Sequence, residues 1–436
     1  MPNKSVKYAL QICTLYYIYY GLLWYGYSSV VVPIYGGTGF LWEPNLLKIA
    51  ISIILVLIIV LAIPINSKKA SIFFLHFQLI FPILPLFVLF AANDLSVIYI
   101  TYVFLSFIIL VFISSTKKIR LLKLPHFSTS SFSLLLLLLA FAYIGSIILM
   151  GGLSYLNFDF TKVYEFRDES ASNLPSIFAY FSPLVSKVIL PFSFILAVVS
   201  KKPVIMILSI CSSVLMFALT NHKAPLFYPF FAYAIYLFMQ KENPVRIMLY
   251  GLIGLSLGVL IMTLSIDGFI MLGALFFHRM SFVPAQLNYY FFDFFSMNQF
   301  VYWAESKISF GLVDYAYSQP TIYLIGDEYY GFYGREGAIA ANTGWLGAGY
   351  MNAGVIGMFL YALIIGYILR VVDAFSYSLG KHVVAAIMIA PMMSLLLSAD
   401  LPNAMLTHGV LLALLLMLLM HRKQFQANQL YGVRVV

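Results

Sequence analysis

Charge is what this chain has least of. Asp, Glu, Lys and Arg make up 9% of its 436 residues and hydrophobic residues 62%, whereas soluble domains carry about 25% charged residues. So low a charge content excludes an ordinary soluble domain and a disordered chain alike. Cysteine is nearly absent: Cys13 and Cys211 are the only two, and both fall in apolar runs, where a thiol packs as a small hydrophobe. No disulfide or thiol chemistry is expected. No Cys/His cluster has metal-ligand spacing, so neither a metal nor a cofactor is expected.

What the chain has instead is long apolar runs. A bilayer core of about 30 Å needs roughly 20 apolar residues per helical span. Twelve spans can be read, near 8–32, 46–65, 71–91, 95–114, 131–150, 178–199, 203–220, 224–240, 245–266, 347–369, 383–400 and 404–420. The sequence predicts an all-α, polytopic membrane protein formed as one integral domain over 1–436. The first span follows Lys4 and Lys7 as a signal sequence would, but it is long and Tyr-rich, and an uncleaved anchor is expected.

Lys and Arg favour cytoplasmic loops. With the N-terminus inside, the inner side receives Lys4 and Lys7, Lys68 and Lys69, Lys117 to Lys123, Lys201 and Lys202, Lys241 and Arg246, Arg370 and Lys381, and Arg422, Lys423 and Arg434. Both termini are therefore expected in the cytoplasm. Of the acids only Glu242 and Asp373 fall inside, so the formal net charge of +9 reflects topology and gives no reason to expect a nucleic-acid partner. The outer side has two sizeable loops, 151–177 and 267–346. The longer is rich in Tyr, Phe and Trp, which argues against disorder, and long connections of this kind are usually functional.

Four outer stretches join charge to apolar surroundings. "FDFTKVYEFRDESASN" (158–173) carries Lys162, Glu165, Arg167, Asp168 and Glu169, and a solvated, self-paired loop is its plainer reading. "TNHKAP" (220–225) places His222 and Lys223 at a hairpin, and reads equally as a snorkelling lysine. "FFHRMSFVPAQLNYYFFDFF" (276–295) sets His278 and Arg279 ahead of Pro284, which can open an amphipathic helix with Gln286, Tyr290 and Asp293 on one stripe. An interfacial arginine paired with lipid phosphate is its simpler reading. "GDEYYGFYGREGAIAANTGWLGAGYMNAGVIG" (326–357) carries Asp327, Glu328, Arg335 and Glu336 before a Gly-rich span whose small residues suit close helix packing. Lys187 stands apart, inside a span between Pro183 and Pro191. A cation in lipid requires a polar cavity or an anionic partner.

The succession "NFDFTKVYEFRDE", "NHKAPLFYPFFAYAIYLF", "FHRMSFVPAQL" and "AANTGWLGAGYMNAGVIGM" resembles the bacterial O-antigen polymerases called Wzy, in element order and spacing across most of the chain. Some members follow an Arg, after ten residues, with Gly in each of two outer loops; here Phe178 and Tyr290 stand at those places after Arg167 and Arg279. The resemblance implies an inverting, metal-independent glycosyltransferase of GT-C-like class in the bacterial inner membrane, active on its periplasmic face. It would transfer a growing oligosaccharide from undecaprenyl pyrophosphate to a new undecaprenyl-pyrophosphate-linked repeat unit. Membrane lipids, a chain-length regulator and a flippase would be its partners.

Such a reaction builds charge on the leaving pyrophosphate, which fixed Arg and Lys donors can stabilise. Arg279, Arg167 and Lys223, then Arg335 and Lys187, are the candidates. His278, Glu165, Glu328 and Glu336 are candidates for the base that takes the acceptor proton. Tyr289, Tyr290, Trp303 and Tyr330 could stack on sugars or simply anchor the loop at the interface. Two other functions compete: an O-antigen ligase, passing chains to a lipid A core, and a lipid-linked oligosaccharide flippase, which would line its interior with charges from many spans.

Overall fold

The computed structural model describes residues 4–65, 69–116, 119–122, 127–159, 175–266, 268–331 and 339–420. Among these the chain is all α, and fourteen helices are numbered in chain order, short turns of 3-10 helix aside. They are α1 (Lys4–Gly26), α2 (Leu46–Ala62), α3 (Ala70–Ala92), α4 (Val97–Ser115), α5 (Thr129–Leu149), α6 (Ile177–Val199) and α7 (Pro203–Thr220). Then come α8 (Ala224–Met239), α9 (Pro244–Ser265), α10 (Ile270–Met297), α11 (Thr321–Tyr330), α12 (Trp345–Leu379), α13 (Lys381–Ser398) and α14 (Leu401–Met420). Ten of them are long and apolar enough to cross a membrane, and nine of those coincide with spans read from the sequence. The exceptions among the expected twelve are α1, whose tyrosines lower its hydropathy, and α2 and α8, which are 17 and 16 residues long.

Helix α3 is the hub. Its sequence, ASIFFLHFQLIFPILPLFVLFAA, is apolar all round, and a helix without a polar face must be covered on every side. It is almost wholly buried, against α1, α2, α10, α12 and α13. Pro82 lacks the donor that an α-helical turn needs, and Leu79–Ile83 widens to a π turn around it. The same device recurs in α6, where Lys187 lies in the π turn Val185–Ile189 between Pro183 and Pro191.

The bundle has two distinct ends. At one, Lys69 lies by Tyr8 and Pro244 on one side and by Ser114, Arg370 and Asp373 on the other. At the opposite end lie Thr38 and the long stretches 268–331 and 339–344. The tenth apolar helix, α10, belongs to that segment, where the sequence led us to expect a loop. Its first turn packs Gly273 on Thr263 at the end of α9, and near its last turn Phe292 stacks on Tyr99 at the start of α4, ring centroids 4.6 Å apart. The other termini of α9 and α4, Pro244 and Ser114, sit beside Lys69. Both ends of α10 therefore touch the end remote from Lys69, and the helix lies across the bundle. Pro284 stands in the first turn of the α-helical part, Val283–Met297, as the sequence suggests, but that part continues a π stretch, Ala274–Phe282, without a break.

Helix α12 is broken. Ala353 (φ −156°, ψ 33°) and Gly354 (φ 60°, ψ −146°) leave the helical region, and only glycine tolerates the second of these conformations without strain. The break frees the carbonyls of Met351 and Asn352, which accept instead from the backbone N–H groups of Val301 and Tyr302, both at 3.0 Å. Residues 300–303 thus complete a transmembrane helix from outside it.

Candidate functional site

Helices α10 and α11, with the chain between them, form a cap over the Thr38 end. Three fixings hold it to the bundle. Gln286 is buried, and its Nε2 donates to the Thr38 carbonyl at 3.1 Å while its Oε1 accepts from the Tyr330 hydroxyl at 2.8 Å. The buried Asn288 accepts from the Thr343 hydroxyl and the Gly347 N–H, at 3.1 and 3.0 Å, and its carbonyl takes the Tyr99 hydroxyl at 2.9 Å. Gly39 has a left-handed φ of 87°, and a Cβ there would collide with the Tyr290 hydroxyl. The stripe of Gln286, Tyr290 and Asp293 therefore faces other parts of the protein, where the sequence pattern alone pointed to an interfacial helix face.

Most of the sequence-predicted residues described by the structure lie in this cap, but they form more than one group. His278 stacks face to face on Tyr35, with centroids 3.5 Å apart, and Phe40 closes on its edge; Arg279 next to it is exposed. Tyr290 stacks on Tyr329 at 3.9 Å, so one face of each ring is taken, and Tyr329 donates to Asp293 at 2.6 Å. Tyr330 meets Tyr290 at an angle of 64°, and Tyr289 packs edge-on against Tyr99. Burial pushes the Tyr329 and Tyr330 hydroxyls far above their ordinary range, so both serve as donors. Glu328 is exposed on α11. Lys223 is exposed at the start of α8. Glu165, Arg167, Arg335 and Glu336 lie outside the described residues.

The remaining two candidates lead to groups that sequence reasoning did not single out. Trp303 donates through Nε1 to the Tyr361 hydroxyl at 2.7 Å, and Tyr361 donates to Asp400 Oδ1 at 2.6 Å. Asn352, fully buried at the break in α12, reaches Asp400 Oδ2 at 3.4 Å and accepts from the Trp303 N–H at 2.8 Å. Asp400 caps α14 by accepting from the Leu401 N–H at 2.8 Å. Burial pushes its carboxyl up to about 6, against the pull of the Tyr361, Leu401 and Asn352 donors, and the charge of Glu305 acts in the same direction as burial. Glu305 itself accepts from Thr321 at the start of α11, with the hydroxyl 2.6 Å away.

Lys187 donates to Ser394 Oγ at 2.7 Å and meets His408 Nδ1 at 3.0 Å. His408 sits in the break of α14, between Leu406 and Val410. Both partners are neutral acceptors for an ammonium, and no carboxylate pairs with Lys187 among the described residues. Ser394 precedes Asp400 by six residues, and the chain leaves the helix between them, with Ala399 and Asp400 both extended. The end of α13 and the start of α14 thus carry both partners of a half-buried cation and a carboxyl raised by burial. Lys307, from the cap, lies 4.1 Å from the Tyr180 ring in the first turns of α6. Arg279 and Lys187 are carried by different neighbourhoods: the segment around Arg279 packs on α3 and the extension of α1, that around Lys187 on α5, α6, α8 and α13.

By helix length and hydropathy the chain is a multi-pass membrane protein. No protein-family model, no curated protein and no solved structure matches it.

Proposed function

We propose that the protein is a surface-polysaccharide polymerase of the O-antigen type, working on undecaprenyl-pyrophosphate-linked oligosaccharides at the periplasmic face of the bacterial inner membrane. One observation supports this reading most: the connection from α13 to α14 holds the Lys187 ammonium through Ser394 and His408 and, between those two residues in sequence, carries Asp400. The cation suits the leaving pyrophosphate, as a fixed donor aimed where charge develops. The carboxylate suits the acceptor, because a base works best with a pKa near the operating pH.

In this reaction the acceptor hydroxyl oxygen bonds to the anomeric carbon and the bond from that carbon to the pyrophosphate oxygen breaks. The electron pair leaves with the pyrophosphate, and the acceptor proton passes to Asp400. Arg279 is the rim cation at the other side of the cap, and the half-covered rings of Tyr290 and Tyr329 offer their free faces to sugars. A chain-length regulator and a flippase would work beside the polymerase, as the resemblance implies.

The test is a lipopolysaccharide ladder in a strain whose own copy is deleted. Lys187→Gln and Asp400→Asn should each remove long chains while core plus one repeat persists at normal protein level, and Arg279→Ala should do the same if the rim cation also holds pyrophosphate. Unaltered ladders from both Lys187→Gln and Asp400→Asn would remove this site from the reaction.

A flippase is the second reading, favoured by one observation. Asn352 pairs with Asp400 and Lys187 with His408, joining α12 and α6 to the start of α14 with breaks in both α12 and α14, a pattern that transporters use for mid-membrane sites. Purified protein given lipid-linked repeats separates the two: a polymerase lengthens them, and a flippase leaves their length unchanged.

A further inference from the structure

The Lys69 end, opposite the cap, holds a cavity of about 80 Å³ between α1, α2, α3 and the turn from α8 to α9. Ile12, Ile63, Ile72 and Phe73 make its wall largely apolar, and its polar groups are few, with His76 the most deeply placed. His76 is 6% exposed, and its Nδ1 lies 2.6 Å from the hydroxyl of the fully buried Tyr16. That hydroxyl has no other acceptor among the described residues, so it donates to Nδ1, and the neutral ring then carries its proton on Nε2. Nε2–H is left to the cavity that His76 lines, and no hydrogen bond joins it to a protein acceptor among the described residues.

Basic groups stand at the mouth. Lys69 lines the cavity and pairs on its far side with Asp373 at 3.3 Å. Arg246 follows the lining residues Pro244 and Val245 and donates to Gln11 at 3.3 Å. Glu242 is exposed on the rim. Along α3, His76 lies seven residues beyond Lys69, about 10 Å deeper. From mouth to wall the order is therefore a charged rim of Lys69, Arg246 and one carboxylate, Glu242, then the uncharged donor His76, then apolar side chains.

We propose that this cavity binds an anionic glycerophospholipid. Its phosphate meets Lys69 and Arg246, an ester carbonyl accepts from His76 Nε2–H, and an acyl chain lies against Ile12, Ile63 and Phe73. The ester distinguishes this ligand from a polyprenyl phosphate, which offers a phosphate and a chain but no carbonyl between them. The site is independent of the chemistry proposed at the opposite end.

Native mass spectrometry of the full chain, with phosphatidylglycerol or phosphatidylcholine added in detergent, tests the assignment. The wild type should retain phosphatidylglycerol in preference to phosphatidylcholine, and Arg246→Gln should weaken that preference by about fivefold, the worth of one cation beside an anionic surface. The double variant Tyr16→Phe with His76→Phe removes a hydrogen-bonded pair together, which leaves no orphaned hydroxyl; it should lower retention of both lipids. Ile63→Trp fills the cavity and should abolish retention, with an unchanged elution profile and helical circular dichroism showing that the fold survives. Equal retention of the two lipids by the wild type, full retention by Ile63→Trp, or displacement of phosphatidylglycerol by an equimolar polyprenyl phosphate would overturn the proposal.

Discussion

Asp400 shows what a single residue acquires from its surroundings. In sequence it is one acid in "SADLPN", and Asp before Leu-Pro reads as a helix cap, which it is. Its burial and its pairing with Tyr361 and Asn352 come from helix α12, some forty residues away, at a distance no local pattern encodes. Two pH effects follow from a carboxyl pushed up to about 6 from an ordinary 3.8. Polymerisation should rise with pH through about 6 as the base ionises, and Asp400→Asn should give a low, flat profile. Stability should run the other way: the unfolded carboxyl ionises first, so unfolding releases a proton and stability falls as pH rises from about 4 to about 6, then levels off. The difference in unfolding temperature between wild type and Asp400→Asn, followed across that window in detergent, isolates this residue from the other acids. Lys187 was legible as an anomaly from its place in an apolar run, but Ser394 and His408 were not, since they lie 207 and 221 positions further on.

Among the elements, the spans were easiest to read because each needs only length and hydropathy, and the nine that agree are of this kind. Helix α10 was harder. Its composition suits a span, its charged and amide residues suit an interface, and its actual position depends on Thr38, Tyr99 and Tyr330, which belong to three separated parts of the chain. The break in α12 was invisible for another reason: "GAGYMNAGVIG" is what close helix packing would also select, and the distinction lies in the backbone of residues 300–303, which takes up the freed carbonyls. Gly354→Ala tests the break directly. Alanine must adopt a positive φ there, and its Cβ would sit 2.9 Å from the Phe300 ring. A loss of about 1–3 kcal/mol is expected from the backbone strain, read as a lower unfolding temperature. Tyr361 and Trp303 should also lose their shared hydrogen bond, visible as a change in tryptophan emission. An unchanged unfolding temperature would show that the helix can run straight through this point.

For the whole molecule the question is how many times the chain crosses the membrane. Helices α1 to α9 alternate between the ends, and α12, α13 and α14 add three more passages. With α10 lying across the Thr38 end, the total is even, Lys4 and Met420 share a side, and the distribution of Lys and Arg predicts that this side is cytoplasmic. If α10 crossed, as its hydropathy alone permits, the total would be odd and the basic Lys69 end would be separated from one terminus. Three exposed positions distinguish the cases: Ile266 before α10, Met297 at its end and Glu242 at the Lys69 end. With Cys13 and Cys211 replaced by serine, Ile266→Cys and Met297→Cys should both react with a membrane-impermeant maleimide added to intact spheroplasts, and Glu242→Cys only after permeabilisation. Reaction of Ile266→Cys but not Met297→Cys would mean that α10 spans the bilayer. The cap would then be split between two compartments, and Arg279 and Asp400 could not serve one substrate. Reaction at both places the cap, the broken helix α12 and the α13–α14 turn on one face, which a reaction between two membrane-bound oligosaccharides requires.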